Sequence, residues 1–155
     1  LGAAPGGGAS LAKLVDSDQN KETVVGIDLL HMEPVRGVKF LQGDIRDEAT
    51  QEKLSKLLDY QKADVITSDA VPDFIGDKFI DHLEANSLNM DVIRFCKIGL
   101  RVGGNAVIKI IQGPETDEVV DEVTNHFNSV QKIKPSASRS ESAETYLLLR
   151  GYQQS

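Results

Sequence analysis

The chain is short of cysteine, of clustered histidine, of long apolar runs and of positive charge. One cysteine, Cys96, occurs in 155 residues, which excludes a disulfide framework and a multi-cysteine zinc site. Cys96 falls in an apolar helical stretch and is expected in the core. The three histidines, His31, His82 and His126, are too far apart to match a metal-ligand pattern, so no metal is expected. No apolar run approaches the roughly 18 residues that span a bilayer, so no membrane partner is expected. No secretory or transit signal is visible. Acidic residues exceed basic ones by 24 to 17, for a formal net charge of −7. A nucleic-acid binder usually carries a basic footprint, so an RNA partner would have to meet a local patch.

What is present is an ordinary globular composition, 40% hydrophobic and 26% charged. The length suits one domain, residues 1–155. Helix-like and strand-like segments alternate. Gly8 to Val15 reads as the start of a helix, Thr23 to Ile27 as a buried strand ending at Asp28, and Val38 to Leu41 as a strand ending near Asp44. Glu48 to Leu58 carries Leu54, Leu57 and Leu58 at helical spacing. Ala63 to Thr67 reads as a strand ending at Ser68-Asp69, and Val71 to Lys78 as a loop broken by Pro72 and Gly76. A helix is expected over Glu84 to Ile98, a turn at Gly103-Gly104, a strand over Asn105 to Ile111 and a helix over Glu115 to Phe127. Ser129 to Lys134 and Thr145 to Leu149 read as the last two strands.

This alternation predicts an α/β fold on a mainly parallel sheet. The end of the chain departs from it. About ten residues, rich in Ser and Arg, join the last two strands, and a parallel crossover needs a dozen or more. The last pair is therefore expected to be antiparallel.

Ligands in open α/β sheets bind beyond the carboxyl ends of the strands. Asp28, Asp44 and Asp69 each follow a predicted strand. Any one of them could simply cap the next helix or turn. Their neighbour is the glycine-rich loop Gly2-Ala-Ala-Pro-Gly-Gly-Gly-Ala9, whose backbone can approach a ligand closely. No Gly-Lys-Ser/Thr follows it, so it is not a P-loop. The step of about 20 residues to Asp28 is that of a carboxylate on the ribose of an adenosine cofactor. Lys109, inside Val107-Ile-Lys-Ile-Ile111, places a charge in an apolar strand, where it is costly unless paired. It is either an edge lysine reaching solvent or a site lysine close to Asp69 and Glu144.

Taken together, Leu1-Gly-Ala-Ala-Pro-Gly-Gly7, Asp28-Leu-Leu30, Gln42-Gly-Asp44, Ser68-Asp69, Val107-Ile-Lys109 and Glu144-Thr-Tyr146 resemble, in this order, the FtsJ-type (RrmJ) RNA ribose 2′-O-methyltransferases. Met32-Glu-Pro34 and Gly37 to Asp44 are most similar to the ribosomal-RNA branch, including its mitochondrial members. The resemblance implies a Rossmann-like class I methyltransferase with a seven-stranded sheet and an antiparallel last pair. It implies S-adenosylmethionine as cofactor and ribosomal RNA, or a ribosomal subunit, as partner. A monomer is expected, in mitochondria or else in the cytoplasm or nucleus.

Pro5, Gly6, Gly7 and Gly8 would hold the methionine part of the cofactor, and Asp28 its ribose. Asp44 and Ile45 would meet the adenine, and Asp69 would lie by the methionine amino group and the reacting centre. Asp69, Lys109 and Glu144 match the last three members of the family's catalytic Lys-Asp-Lys-Glu set. The first lysine and the first strand are expected upstream of Leu1, making the domain N-terminally incomplete. Where the family often has an aromatic residue after the two glycines, this chain has Gly8. Arg36, Lys132, Lys134 and Arg139 are candidates for RNA phosphates. Two other readings compete: a methyltransferase-like binding module without catalysis, and a nicotinamide-dependent oxidoreductase.

Overall fold

The β-branched runs form strands where their pattern places them, and the amphipathic runs form helices. A computed structural model describes residues 1–2, 23–113, 116–134 and 144–154. These divide between two compact units, residues 1–62 and 63–155. The expected helix at Gly8 to Val15 lies outside the described residues.

In the first unit, β1 (Val24–Asp28) pairs in parallel with β2 (Val38–Gln42), in register from Val24↔Val38 to Asp28↔Gln42. Helix α1 (Glu48–Leu57) follows, with Thr50 and Leu54 buried. It ends where the Leu58 amide reaches the Leu54 carbonyl at 3.0 Å and the Tyr60 amide reaches that of Ser55 at 2.7 Å. Asp59 and Tyr60 both adopt positive φ, which turns the chain out of the helix.

The second unit holds β3 (Ala63–Ser68), α2 (Lys78–Gly99), β4 (Leu100–Ile111), α3 (Thr116–Thr124), β5 (Phe127–Ile133) and β6 (Glu144–Tyr152). The sheet order is β3-β4-β6-β5. β3 and β4 are parallel, while β6 runs antiparallel to both β4 and β5, as the short last connection required. The described residues thus form six strands, in one sheet of two and one of four; the first of the seven that the resemblance implies is expected upstream of Leu1.

Three boundaries differ from the sequence pattern. Helix α2 starts at Lys78 rather than near Glu84, because Asp77 caps it: its carboxylate accepts from the amides of Phe79 and Ile80 at 3.0 and 3.1 Å. Gly103-Gly104 does not separate helix from strand but lies within β4. The step from Ala63 to Val65 on β3 matches the step from Leu100 to Asn105 on β4, so the extra residues bulge out there, with Gly103 at φ 77°. Phe127 is not the last turn of a helix. It opens β5, where it is buried against the Tyr152 ring at 5.5 Å between centroids.

The sheet of the second unit has two unlike faces. Ala106, Ile108 and Ile110 of β4 and Leu147 and Leu149 of β6 are fully buried, together with Val92, Ile93 and Cys96 of α2 and Val119 and Val123 of α3. Ile66 on β3, in register with Ala106, touches the end of α2 near Phe95 and Gly99. Cys96 is core as expected, and burial pushes its thiol up to about 12. The opposite face carries Val107, Lys109, Ile111, Glu144, Tyr146 and Leu148, all half-buried. Among the described residues, no helix is long and apolar enough to cross a membrane.

Candidate active site

Parallel pairing brings Asp28 and Asp44 to the same edge of the first unit. The Gly43 amide donates to the Asp28 carbonyl at 2.9 Å, tying the two strand ends together. The Asp28 carboxylate accepts from the Leu30 amide at 2.8 Å. Asp44 is more heavily engaged than its spacing suggested. The Arg46 side chain binds both of its oxygens, at 2.5 to 3.0 Å, and the Arg46 amide donates to Oδ1 at 2.9 Å. The Arg46 hydrogen bond holds the Asp44 carboxyl below its ordinary range, against a smaller opposing effect of burial. The Ile45 carbonyl accepts from Gln51 at 2.7 Å. Asp44 therefore serves as a turn cap whatever else it does.

The adenosine half of a cofactor offers hydroxyl and amino donors. Two carboxylates at adjacent carboxyl ends of parallel strands are the acceptors that such a group needs. Pro5, Gly6, Gly7 and Gly8, expected at the methionine half, lie outside the described residues.

The second unit assembles Asp69, Lys109 and Glu144. Asp69 follows the end of β3, Lys109 projects from β4, and Glu144 opens β6. The Lys109 ammonium lies 2.8 Å from Asp69 Oδ1 and 3.9 Å from Glu144 Oε1. The Lys109 side chain is only 13% exposed, whereas those of Asp69 and Glu144 are 59% and 47% exposed. Lys109 is thus paired with Asp69 and largely buried, and its ammonium is not that of a solvent-facing edge lysine.

Tyr146 joins them. Antiparallel register sets it directly across from Lys109, and Glu144 lies on the same face two residues earlier. Its hydroxyl donates to Asp69 Oδ1 at 2.9 Å, and the Lys109 ammonium sits 5.8 Å from its ring centre. The sequence motif contained Tyr146, but its role depends on strand register. The available signal was its same-face spacing from Glu144.

Two opposing effects act on Lys109. Burial disfavours its charge, but the hydrogen bond and charge of Asp69, with Tyr146 and Glu144, together outweigh it. The lysine is held above its ordinary value and stays cationic at neutral pH. Burial, reinforced by the Asp69 contact, also raises the Tyr146 phenol, which keeps its proton and remains a donor. The cluster presents one ammonium and one hydroxyl to a carboxylate whose outer side is open.

The basic candidates are more scattered. Arg36 is exposed in the first unit. Lys132 and Lys134 are exposed at the edge strand β5, and Lys132 lies 4.0 Å from Asp117. Arg139 lies outside the described residues. No group of three or more potential metal ligands occurs among the described residues.

The match to known proteins spans nearly the whole chain: the FtsJ-like methyltransferase family profile covers residues 1–152. This chain belongs to that family. A family relative from Methanosarcina mazei, named ribosomal RNA large subunit methyltransferase E, is 38% identical over 148 residues. That match covers 96% of this chain and 54% of the relative. A Magnetococcus marinus protein of the same name is 38% identical over 152 residues, covering 98% of this chain and 70% of the relative. The chain thus spans about half the length of the archaeal relative. A crystal structure from Plasmodium falciparum, described as a ribosomal RNA methyltransferase, superposes with a TM-score of 0.83 at 28% identity. It matches 97% of this chain and 83% of that one. The fold is accordingly that of a Rossmann-like methyltransferase.

Proposed function

We propose that this protein transfers the methyl group of S-adenosylmethionine to a ribose 2′-hydroxyl of ribosomal RNA. The observation that carries the reading is the Asp69–Lys109–Tyr146 contact set with Glu144 beside it, on the half-open face of a methyltransferase sheet. The cofactor would supply an electrophilic methyl on sulfur. Asp28, Asp44 and Ile45 would receive its adenosine half.

The protein's own task is alignment and charge. In-line positioning of a hydroxyl and a methyl donor supplies on the order of 7–11 kcal/mol. Lys109 donates to the hydroxyl oxygen and stabilises the negative charge that develops on it. Because the carboxylates keep Lys109 cationic, it accepts no proton in this arrangement. The proton leaves instead to Asp69, Glu144 or water. Tyr146 holds Asp69 in place while that happens.

The names of the relatives support ribosomal RNA of the large subunit as the acceptor. Lys132 on the edge strand β5 and Lys134 just beyond its end, both exposed, would be candidates for its phosphates. A mitochondrial location rests on the Met32 to Asp44 resemblance alone, and the archaeal and bacterial relatives do not point to it. The test is methylation of ribosomal particles and of protein-free ribosomal RNA by the full-length protein, with the modified ribose mapped. Incorporation at a single ribose supports the reading. Incorporation only into protein, or none with the cofactor bound, overturns it.

A further inference from the structure

Six of the large apolar side chains that face solvent fall between residues 71 and 83: Val71, Phe74, Ile75, Phe79, Ile80 and Leu83. Phe74 is 53% exposed, Ile75 68% and Phe79 66%. Six exposed large apolar side chains within thirteen residues are more than the scattered single exposures usual on a protein surface, and such a concentration marks a candidate binding site.

The segment is built to hold its shape. The Asp81 carboxylate accepts from the amides of Ile75 and Gly76, at 2.7 and 3.0 Å. Asp77 accepts from those of Phe79 and Ile80. Gly76, at φ 91°, makes the turn between them and has open space where a side chain would be. With four backbone amides bound by two carboxylates, the apolar side chains are presented outward on a braced frame.

Its place in the unit is equally defined. The segment leaves the carboxyl end of β3 just after Asp69. The His82 ring, in the second turn of α2, lies directly on Gly113 and leaves no room there for a Cβ. Gly113 is four residues beyond Lys109, just past the carboxyl end of β4. The start of α2 is thereby fixed at the same edge of the sheet as the Asp69–Lys109 pair.

We propose that Phe74, Ile75 and Phe79 form a shelf on which a nucleobase flanking the methylated ribose stacks. The inference rests on the methyl-transfer reading above and specifies how its substrate is held. Sequence-specific RNA recognition mostly targets unpaired segments, and a ribose presented at Asp69 from such a segment brings unstacked bases beside it. Aromatic faces are the usual receptors for such bases, because stacking needs no particular base edge. The local charge, from Asp73, Asp77, Asp81 and Glu84 against Lys78, is acidic. It disfavours phosphates at this spot and leaves the base, not the backbone, as the part that docks.

The experiment titrates a short single-stranded RNA carrying 2-aminopurine into the full-length protein, following fluorescence. Wild type is compared with the double variant Phe74→Ala/Phe79→Ala. The double variant should bind on the order of tenfold more weakly. Its affinity for S-adenosylmethionine, by calorimetry, should be unchanged. The slope of log affinity against log salt should also be unchanged, since no phosphate contact is lost. Phe79→Trp should retain wild-type affinity. If the alanine pair fails to fold, Phe79→Leu, which keeps apolar area but removes the aromatic face, makes the same comparison.

Undiminished RNA affinity in the folded double variant, or in Phe79→Leu where that stands in, overturns the shelf and leaves the methyl-transfer reading standing. Undiminished RNA affinity with lost binding of a cationic Leu/Lys amphipathic peptide assigns the patch to a protein partner and equally overturns it. Cofactor binding by wild type with no binding of the short RNA, of protein-free ribosomal RNA or of ribosomal particles defeats the methyl-transfer reading, and the shelf with it.

Discussion

Two lysine–carboxylate clusters in the second unit invite comparison. Lys97 of α2 binds Glu122 of α3, and His126 approaches the same carboxylate at 3.5 Å. The Tyr152 hydroxyl donates to the Lys97 carbonyl at 3.1 Å, so the cluster also joins β6 to the helices. Its partners come from two packed helices, from the turn that follows the second of them and from β6. In the other cluster the lysine is more enclosed than its carboxylates, which are open. Lys109 lies deep between β3 and β6, while Asp69 and Glu144 look outward. The first arrangement is a clamp that closes on itself. The second leaves one side of its carboxylates for something else to fill. Burial of the cation with exposure of the anions is what separates the proposed reaction site from the tie between helices.

The largest test of this contrast is a pair of lysine deletions. Lys109→Ala should lower the methylation rate by roughly 100- to 1000-fold, the usual cost of removing one donor at a developing oxyanion, with cofactor binding intact. Lys97→Ala should leave the rate per folded molecule unchanged and lower stability by about 1 kcal/mol, read from a denaturant midpoint. If both variants lose stability and neither loses rate, the contrast collapses.

A smaller effect is expected from Tyr146→Phe, which removes one hydrogen bond to Asp69 and keeps the ring beside Lys109. The loss should be about 1 kcal/mol, or roughly fivefold in rate, without a change in melting temperature beyond a few degrees. A Tyr146→Phe enzyme with wild-type turnover would show that the hydroxyl does not position Asp69.

The finest distinction lies in pH. Lys109 is raised in the folded protein, so its pairing is fully present below the ordinary lysine value of 10.5 and is lost as pH rises through the raised value. Glu122 is lowered, chiefly by its hydrogen bond to Lys97, so its contribution is present above 4.5 and is lost as pH falls through the lowered value. Neither Lys109 nor Glu122 should change its charge across the neutral range. Lys109→Arg cannot give up a proton there and should show the same shape of pH–rate profile as wild type. A wild-type rate that climbs near neutrality, with a climb that Lys109→Arg abolishes, would mean that Lys109 does act as a base. Acid unfolding should begin at higher pH in wild type than in Glu122→Gln once the overall stability difference is subtracted.

Much of the site was legible in the linear pattern. A lysine inside an apolar strand demands a partner, and Asp69 and Glu144 were its nearest candidates by topology. Asp28 and Asp44 were legible as strand-end carboxylates, but not the grip of Arg46 on Asp44, because an arginine two residues along a turn has many places to go. The start of α2 was missed because Pro72 and Gly76 read as loop while the cap that ends the loop, Asp77, is a single residue. The Gly103-Gly104 pair was read as a turn because two glycines relax φ equally well in a turn or a bulge, and only pairing with β3 distinguishes them. The antiparallel last strands were foreseen from connection length, which is a geometric limit that sequence states directly.

The sequence by itself determined the alternation of elements, the antiparallel end, the acidic strand termini and the unusual lysine. These follow from local periodicity, chain reach and the cost of an unpaired charge. Only the tertiary structure decided that Tyr146 faces Lys109, that the carboxylates outweigh burial and keep the lysine charged, and that His82 pins the start of α2 to the edge of the sheet. Each of these depends on the register and distance of groups tens of residues apart, and electrostatic energy varies with distance too steeply for linear spacing to supply it.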